Sequence, residues 1–178
     1  MLVAAQLVVR YGFEPTAVQK PGVTALAGAG QTLIIEGSRD AIASLEVDLP
    51  TEVKAVSPLA RISAQGNAGI EFMAEKAGTY DIVLRTSGQE VIKHLVVGAG
   101  TDARAMQDRR VKGAFSAMLW PAEDTLSDAS GLTSVRFLYP ESDLGWLPFH
   151  GPAGVLINFV LASMLFGFLA LKPLGVQI

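Results

Sequence analysis

Residues that commonly perform acid–base, nucleophilic or metal chemistry are scarce in this chain, which has two histidines and no cysteine. His94 follows a strand-like pattern between Ile92 and Val96, which predicts a packed or half-exposed strand residue. His150 directly precedes a long apolar run, a position typical of a membrane interface. Because there is no thiol, the sequence excludes disulfides, thiolate catalysis and cysteine-based metal sites.

Two groups of acidic residues are the remaining candidates for a metal site or an acid–base pair. Glu123, Asp124 and Asp128 lie close together in the sequence, but their spacing does not match an EF-hand calcium loop. Glu141 and Asp143 are separated by one residue, and nothing in the sequence fixes the distance between their carboxyl groups. We therefore predict a solvated loop at both places.

The glycine-rich and basic patterns in the sequence do not match a ligand-binding motif either. Residues 98–100 (Gly-Ala-Gly) follow a strand but lack the further glycine spacing and the crossover pattern of a nucleotide site. Residues 101–112 predict a short polar helix that forms either a solvated linker face or a contact with anionic headgroups or an acidic partner. Its basic residues are Arg104, Arg109, Arg110 and Lys112. The sequence thus predicts a protein that is not an enzyme, with no catalytic residue, cofactor or metal.

The strongest signal in the sequence is an apolar run near the carboxyl end. No Asp, Glu, Lys or Arg occurs in residues 144–171, and residues 151–171 read GPAGVLINFVLASMLFGFLAL. A helix needs about 20 such residues to cross a hydrocarbon core, whereas a helix buried in a soluble core normally keeps a polar face. We predict a transmembrane helix over residues 151–171, with Pro152 in its first turn, Pro173 as its stop and a short tail over residues 172–178.

The residues within and around this run predict how the helix is placed. Small residues and one amide recur along it, a pattern that favours close packing with other transmembrane helices, although a lone helix also contains small residues. The predicted helix-packing residues are Gly154, Asn158, Ala162, Ser163 and Gly167. Aromatic and basic residues at the ends favour the headgroup level. The predicted membrane-interface residues are Trp146, Phe149, His150 and Lys172.

The amino-terminal residues 1–13 form a second apolar segment. The run MLVAAQLVV ends at Arg10, is too short to span a membrane and lacks the basic region of a signal peptide. Tyr11 and Phe13 follow it, as interface aromatics follow a membrane helix. One interpretation is a segment packed on the domain. The other, which we favour, is the last part of a transmembrane helix that begins upstream of Met1.

The middle of the chain carries the pattern of a β-domain over residues 22–98. Residues 31–36 predict a short apolar strand, residues 43–49 and 70–75 alternate as strands do, and the clearest signal is a hairpin pattern within residues 76–98. The Ala-Gly-x-Tyr sequence that ends at Tyr80 resembles the tyrosine corner of immunoglobulin-like sandwiches, so we expect Tyr80 to be largely buried with its hydroxyl bonded to nearby backbone. The predicted fold is mainly β, an immunoglobulin-like β-sandwich with a C-terminal transmembrane helix. Its predicted core includes Leu45, Val47, Tyr80, Ile82 and Leu84.

Residues 99–150 predict a linker that contains a hairpin-like pair of extended segments, residues 114–121 and 133–140. The segment LWPAEDTL resembles the later segment LYPESDL. About 150 residues remain outside the apolar carboxyl end, enough for one domain. The net charge of −3 argues against nucleic acid as a partner.

Four segments in order resemble the C-terminal part of an uncharacterised family of bacterial multi-pass inner-membrane proteins. They are AAQLVVRYGFEP, KAGTYDIVL…KHLVVG, LWPAEDTL…VRFLYPE and FVLASMLFGFLALKPLGVQI. The family tail is matched by Lys172, Pro173, Gly175, Val176 and Ile178. The resemblance implies an extracytoplasmic β-domain between two transmembrane helices. The family's upstream part is similar to YidC-type insertases, so any insertase role would belong to residues outside this chain.

These observations give two functional expectations. The first is a membrane-anchored structural or interaction domain on the periplasmic side of a bacterial inner membrane, with the lipid bilayer, other transmembrane helices or a membrane complex as partners. The second is a periplasmic domain that binds a ligand or polypeptide and assists membrane protein insertion or folding. Lys172, on the C-terminal side of the predicted helix, favours a cytoplasmic carboxyl end.

Overall fold

The computed structural model describes residues 2–16, 30–86, 88–98, 108–114 and 123–174. Its helices are α1 (Leu2–Tyr11), α2 (Arg39–Ala43) and α3 (Gly151–Leu174), with short 3₁₀ turns at Ser63–Gln65 and Asp128–Ser130. Its strands are β1 (Gln31–Gly37), β2 (Glu46–Asp48), β3 (Val53–Ala55), β4 (Ala60–Ile62), β5 (Asn67–Ala74), β6 (Gly78–Thr86), β7 (Gln89–Val97), β8 (Arg109–Val111) and β9 (Leu132–Phe137).

The strands form two antiparallel sheets, so the described chain is mainly β with one long apolar helix at its carboxyl end. The larger sheet has the order β3-β5-β1-β9-β8, with β4 also paired to β5, and the smaller sheet has the order β2-β6-β7. Both sheets contribute to one hydrophobic core. Phe72 of β5 and Phe137 of β9 meet edge to face in that core, with ring centroids 5.8 Å apart.

The clearest alternating patterns in the sequence form the strands that were expected. In β1, Leu33 and Ile35 are buried while Ile34 between them is partly exposed, which confirms the strand predicted at residues 31–36. β6 and β7 pair along their whole length as a hairpin, and Ile82 and Leu84 are fully buried, as predicted. Period-two burial identifies these strands because each lies on a sheet with one face against the core.

The strand predicted over residues 43–49 is wrong for its first half, where Ala43 ends the short helix α2. Ser38 caps that helix, with its Oγ accepting a hydrogen bond from the backbone N–H of Ala41 at 3.2 Å. A serine cap stabilises a helix start that simple alternation does not reveal. Leu45 is nevertheless fully buried, and Val47 is partly buried in β2.

Tyr80 lies in β6 but is only half-buried, so the prediction of a largely buried side chain is wrong. The predicted contact of its hydroxyl is confirmed, because Tyr80 Oη donates a hydrogen bond to the backbone carbonyl of Lys76 at 3.0 Å, at the surface. The deeply buried tyrosine is Tyr139, just after β9, whose hydroxyl accepts a hydrogen bond from the backbone N–H of Val96 at 3.0 Å.

We expect the two tyrosine hydroxyls to differ in their contribution to stability. Tyr80→Phe should cost less than about 1 kcal/mol, because water replaces the lost partner. Tyr139→Phe should cost about 1–3 kcal/mol, because the buried Val96 amide would lose its acceptor. Urea unfolding of the chain in mild detergent, followed by the circular dichroism of the sheets, measures both. Equal costs would contradict this assignment.

Between the hairpin and the long helix, the described residues add two strands to the larger sheet. β9 pairs with β1 on one side and with β8 on the other. Arg109–Val111 is therefore a strand rather than the polar helix expected there, because its backbone pairs with β9. Residues 101–107 and most of the predicted extended segment 114–121 lie outside the described residues, while the segment predicted at residues 133–140 contains β9.

The long helix α3 begins at Gly151 and confirms a continuous helix over residues 151–171. It continues to Leu174, so Pro173 lies in its last turn instead of beyond its end. Gly151–Ala170 is the one helical stretch among the described residues that is long and apolar enough to cross a membrane. Most side chains along it are exposed.

Candidate functional site

The two apolar segments of the sequence meet at one end of the β-domain, where α1 packs against α3. A Cβ atom on Gly12, just after α1, would lie 3.0 Å from the Cα of Pro152 in the first turn of α3. The carboxyl end of α1 therefore meets the start of α3, and the helices run antiparallel. Ten residues of helix extend about 15 Å, so α1 accompanies roughly the first half of a membrane-length helix.

Backbone hydrogen bonds join this helix pair to the β-domain, and we name residues 11–14 and 140–143 together the clasp. Ser142, which is buried, donates from its Oγ to the carbonyl of Tyr11 at 2.5 Å and from its N–H to the carbonyl of Gly12 at 3.0 Å. Its own carbonyl accepts from the N–H of Gly151, the first residue of α3, at 3.0 Å. Ser142 thus connects the ends of both helices.

The clasp continues toward the larger sheet. The N–H of Glu14 donates to the carbonyl of Pro140 at 2.9 Å, and Phe13 and Glu141 form an isolated antiparallel bridge. Pro140 follows β9 after only two residues. Paired backbone on both sides leaves little freedom for α3 to swing relative to β9, unlike a helix attached through a flexible glycine-serine linker.

The first two predicted helix-packing residues contact the chain's own segment that leads into α3. A Cβ atom on Gly154 would lie 2.5 Å from the carbonyl carbon of Phe149, so only glycine allows this approach. Asn158 Nδ2 donates a hydrogen bond to the carbonyl of the same Phe149 at 2.9 Å. Gly154 and Asn158 therefore fix the direction in which the chain enters the helix.

The other three predicted helix-packing residues lie on an open part of α3. Ala162 and Ser163 are exposed, and Ser163 Oγ donates within the helix to the carbonyl of Phe159 at 2.7 Å. A Cβ atom on Gly167 would meet nothing within 4 Å. The packing of these residues against another helix stays a prediction.

The predicted interface residues surround the start of α3, except for Lys172 in its last turns. Trp146 is 92 % exposed and Phe149 is 41 % exposed, so both rings are free to meet lipid headgroups. His150 Nδ1 lies 3.1 Å from Asp143 Oδ1 and 3.2 Å from the backbone nitrogen of Leu144. These contacts shape the loop that carries Trp146.

A second group of polar residues was not expected from the sequence, namely a buried ion pair between Lys93 of β7 and Glu123. The two side chains are 0 % and 2 % exposed, and Lys93 Nζ lies 2.7 Å from Glu123 Oε2. Glu123 Oε1 accepts a hydrogen bond from the backbone N–H of His94 at 2.9 Å. Lys93 Nζ also lies 5.0 Å from the ring centroid of Phe137, within cation–π range.

The solvated loop predicted for Glu123 is therefore wrong, because its side chain is buried and its carboxylate pairs with Lys93 inside the fold. The sequence did contain a signal for this. Lys93 alternates in phase with Val91 and Leu95, both inward-facing residues of β7, and a lysine in that phase is buried with a partner. His94 points the other way and is partly exposed, as predicted, with Nδ1 2.6 Å from Asp81 Oδ1.

Burial shifts the titration of the groups around this ion pair. Burial lowers the pKa of the Lys93 amine, and the nearby Glu123 carboxylate opposes that shift. Burial raises the pKa of Asp108, which is only partly offset by Arg109, whose Nε lies 3.5 Å from Asp108 Oδ2. Burial also raises the pKa of the Tyr139 hydroxyl. The surroundings of Lys93 therefore disfavour charged side chains. The Lys93–Glu123 ion pair depends on the close contact of its two charges.

We expect Asp108→Asn to stabilise the chain at neutral pH. Because the folded state raises the pKa of Asp108 above its usual 3.8, the folded chain binds this proton more tightly than the unfolded chain. Between the two pKa values the stability of the wild type therefore falls as the pH rises. The advantage of the variant should shrink as the pH is lowered through that interval. Urea unfolding from pH 3 to pH 8 measures it, and a pH-independent difference would contradict the expectation.

Among the described residues, no cluster of three or more histidine, aspartate or glutamate side chains is arranged to hold a metal ion. No family model, curated protein or solved structure matches the chain. The two features of the described residues that bear on function are the clasped helix pair and the buried ion pair.

Proposed function

We propose that this chain is a membrane-anchored structural or interaction domain on the periplasmic side of a bacterial inner membrane. The observation that carries the proposal is the clasp, which joins α1 and α3 to the β-domain through Ser142 and its neighbours. A domain fixed at the membrane surface in one orientation presents the same face to neighbouring membrane proteins. This suits a supporting or docking role better than a mobile binding domain.

We propose further that the β-domain is an immunoglobulin-like sandwich. Immunoglobulin constant-type domains have one sheet of strands A, B, E and D and another of C, F and G. The order β2-β6-β7 corresponds to C-F-G, and β3-β5-β1 corresponds to D-E-B. β9 takes the position of strand A, although it comes from the carboxyl side of the domain. Tyr80 lies in the strand that corresponds to F, and its hydroxyl bonds to backbone upstream, as in a tyrosine corner.

The membrane part of the proposal rests on the composition and packing of α3. Its exposed residues are apolar over a length that suits a bilayer. α1 lies beside its first half, and the exposed Trp146 lies where a headgroup layer would begin. Other transmembrane helices are the proposed partners of the open part of α3 around Ser163 and Gly167.

The alternative function is a periplasmic domain that binds a polypeptide or ligand and assists insertion or folding. A large apolar patch on a sheet would favour this alternative. Outside the helices and the loop before α3, the large exposed apolar side chains among the described residues are Ile62, Ile92 and Leu138, from three separate strands or strand ends. Scattered single residues of this kind favour the structural role.

Membrane attachment and orientation are tested together by labelling. The chain should remain in the membrane after alkaline carbonate extraction. Gln89→Cys, at the exposed tip of the β6–β7 hairpin, should react with an impermeant maleimide added from the periplasmic side, whereas Gln177→Cys should react only after the membrane is opened. The native chain has no cysteine and is the control. Extraction by carbonate would exclude the anchor, and the reverse labelling would exclude the periplasmic location.

A further inference from the structure

The residues between the clasp and α3 form a closed loop, residues 144–150, which we name the tryptophan loop. Its two ends are held together because the N–H of Gly151 donates to the carbonyl of Ser142 at 3.0 Å. Trp146, within this loop, is 92 % exposed. Compact surface loops whose ends lie close together are frequently functional. A change inside the tryptophan loop is therefore able to move Trp146 while the clasp and α3 stay in place.

Two groups at the start of the tryptophan loop approach the same nitrogen atom of His150. The N–H of Leu144 donates to His150 Nδ1 at 3.2 Å, and Asp143 Oδ1 lies 3.1 Å from the same Nδ1. An imidazole nitrogen carries either a lone pair or a proton. Because Leu144 needs the lone pair and Asp143 needs the proton, Nδ1 satisfies only one of them at a time.

The two contacts belong to two protonation states of the His150 ring. In the neutral ring with its proton on Nε2, Nδ1 accepts from Leu144 and faces the Asp143 carboxylate with no proton between them. A second proton, bound at Nδ1, makes the ring cationic. The ring then donates to Asp143 and directs an N–H group at the N–H of Leu144. Each state therefore gains one contact and loses the other.

The backbone on both sides of the tryptophan loop is held by bonds that do not involve the ring. The N–H of Asp143 donates to Glu14 Oε1 of the clasp at 3.3 Å. The carbonyl of His150 accepts from the N–H of Gly154 at 3.0 Å, as α3 begins. Since both ends are held, a loss of the bond at Leu144 is taken up by the residues of the tryptophan loop.

The other charged side chains beside the ring are acidic. Glu14 lies against Asp143, and the carboxylate of Glu141 lies against Gly151, the residue after His150. Within the described ranges, His150 is the only cation-forming group in ion-pair contact with Asp143. The imidazole side chain is 48 % exposed, so water delivers and removes its proton directly. Histidine is the side chain that ordinarily changes its charge between pH 5 and pH 8, so the exchange of contacts responds to pH in that range.

We propose that His150 is a proton switch of the tryptophan loop. The neutral ring holds the N–H of Leu144, whereas the protonated ring pairs with Asp143 and releases that N–H, so that Trp146 changes its surroundings. The switch within the chain does not depend on a membrane. Its consequence, pH-dependent contact of Trp146 with lipid headgroups, rests on the proposed function.

The fluorescence of Trp146 tests the switch in the full chain in mild detergent. Trp120→Phe leaves Trp146 as the only tryptophan. Its emission maximum should shift in a one-proton transition between pH 8 and pH 5. His150→Asn should abolish the transition, because the asparagine oxygen accepts from Leu144 but does not titrate. His94→Asn, a change at the only other histidine, is the matched control and should leave the transition in place.

The protonation state of the ring is measured by nitrogen NMR of the chain carrying ¹⁵N-labelled histidine. His94→Asn leaves His150 as the only labelled ring. At pH 8 the proton should be on Nε2 and Nδ1 should be unprotonated, and at pH 5 both nitrogens should carry protons. A proton on Nδ1 at pH 8 would overturn the proposal. So would a fluorescence transition that is absent from the wild-type loop or that persists in His150→Asn.

Phosphatidylcholine vesicles with brominated acyl chains test the consequence at a membrane, because bromine quenches a tryptophan that lies close to it. In the Trp120→Phe chain, quenching of Trp146 should differ between pH 8 and pH 5, and the difference should disappear when His150→Asn is added. Equal quenching at both pH values, with the transition in detergent present, would overturn pH-dependent headgroup contact. No quenching at either pH would instead contradict the proposed function and leave the detergent result intact.

Discussion

Replacing Glu123 with glutamine is expected to lower the free energy of unfolding by about 3–5 kcal/mol, because the buried Lys93 amine loses the carboxylate that lies 2.7 Å away. Lys93→Met should have a similar cost, since it removes the cation that pairs with the buried Glu123 carboxylate. The two side chains are 0 % and 2 % exposed, so water cannot replace the missing partner. Urea unfolding of the chain in mild detergent measures each loss.

The double variant Lys93→Met/Glu123→Leu separates two quantities. One is the cost of leaving a single charge of the pair in place, and the other is the contribution of the intact ion pair to the free energy of unfolding. Buried ion pairs exchanged for apolar residues of similar size are often neutral or stabilising, so the double variant should recover most of the loss. An exposed pair is the control. Lys54 and Glu75 are 2.5 Å apart but 69 % and 48 % exposed, and Glu75→Gln should cost only about 0–1 kcal/mol. Similar losses for Glu75→Gln and Glu123→Gln would contradict the argument.

The ion pair also illustrates what the sequence could and could not predict. The inward phase of Lys93 between Val91 and Leu95 was readable from local alternation. Its partner was not, because Glu123 lies 30 residues away and reaches the core only when β8 and β9 join the larger sheet. Pairing between distant segments depends on tertiary contacts that a local pattern does not encode.

The elements with the strongest local signal were predicted best. The β6–β7 hairpin follows from alternation on both sides of a turn, and α3 follows from length and composition alone. The failure at residues 43–49 has a local cause. The Ser38 cap and the buried Ile42 stabilise helix α2 just upstream, which ends at Ala43 with Ser44 as its C-cap, so the strand begins only at Glu46. The secondary structure of short segments is the hardest to predict from a sequence, because both the helix period and the strand period fit them.

The clasp could not be predicted, because its bonds join residues more than 120 positions apart. Ser142 and Tyr11 carry no recognisable motif, and their contact forms only when the two helices meet the β-domain at the same end. The sequence predicted that Gly154 and Asn158 pack against other transmembrane helices. Their observed contacts are with Phe149 of the same chain, because the chain turns sharply onto α3 at this point.

Substitutions at two glycines of α3 distinguish packing within the chain from packing against a partner helix. Gly154→Leu should lower stability by about 1–3 kcal/mol, the usual cost of overpacking, because its Cβ would lie 2.5 Å from the Phe149 carbonyl carbon. It should also break the hydrogen bond from Asn158 to that carbonyl. Thermal unfolding of the purified chain in detergent measures the loss.

Gly167→Leu is the matched change in the open part of the helix, where a Cβ atom would meet nothing within 4 Å. It should leave the stability of the purified chain unchanged. In native membranes it should nevertheless weaken crosslinking to other membrane proteins from a photoreactive group placed at Ser163, because a large side chain prevents close approach of a partner helix. Destabilisation of the purified chain would show that Gly167 packs within the chain. Unchanged crosslinking would exclude this part of α3 as the docking face.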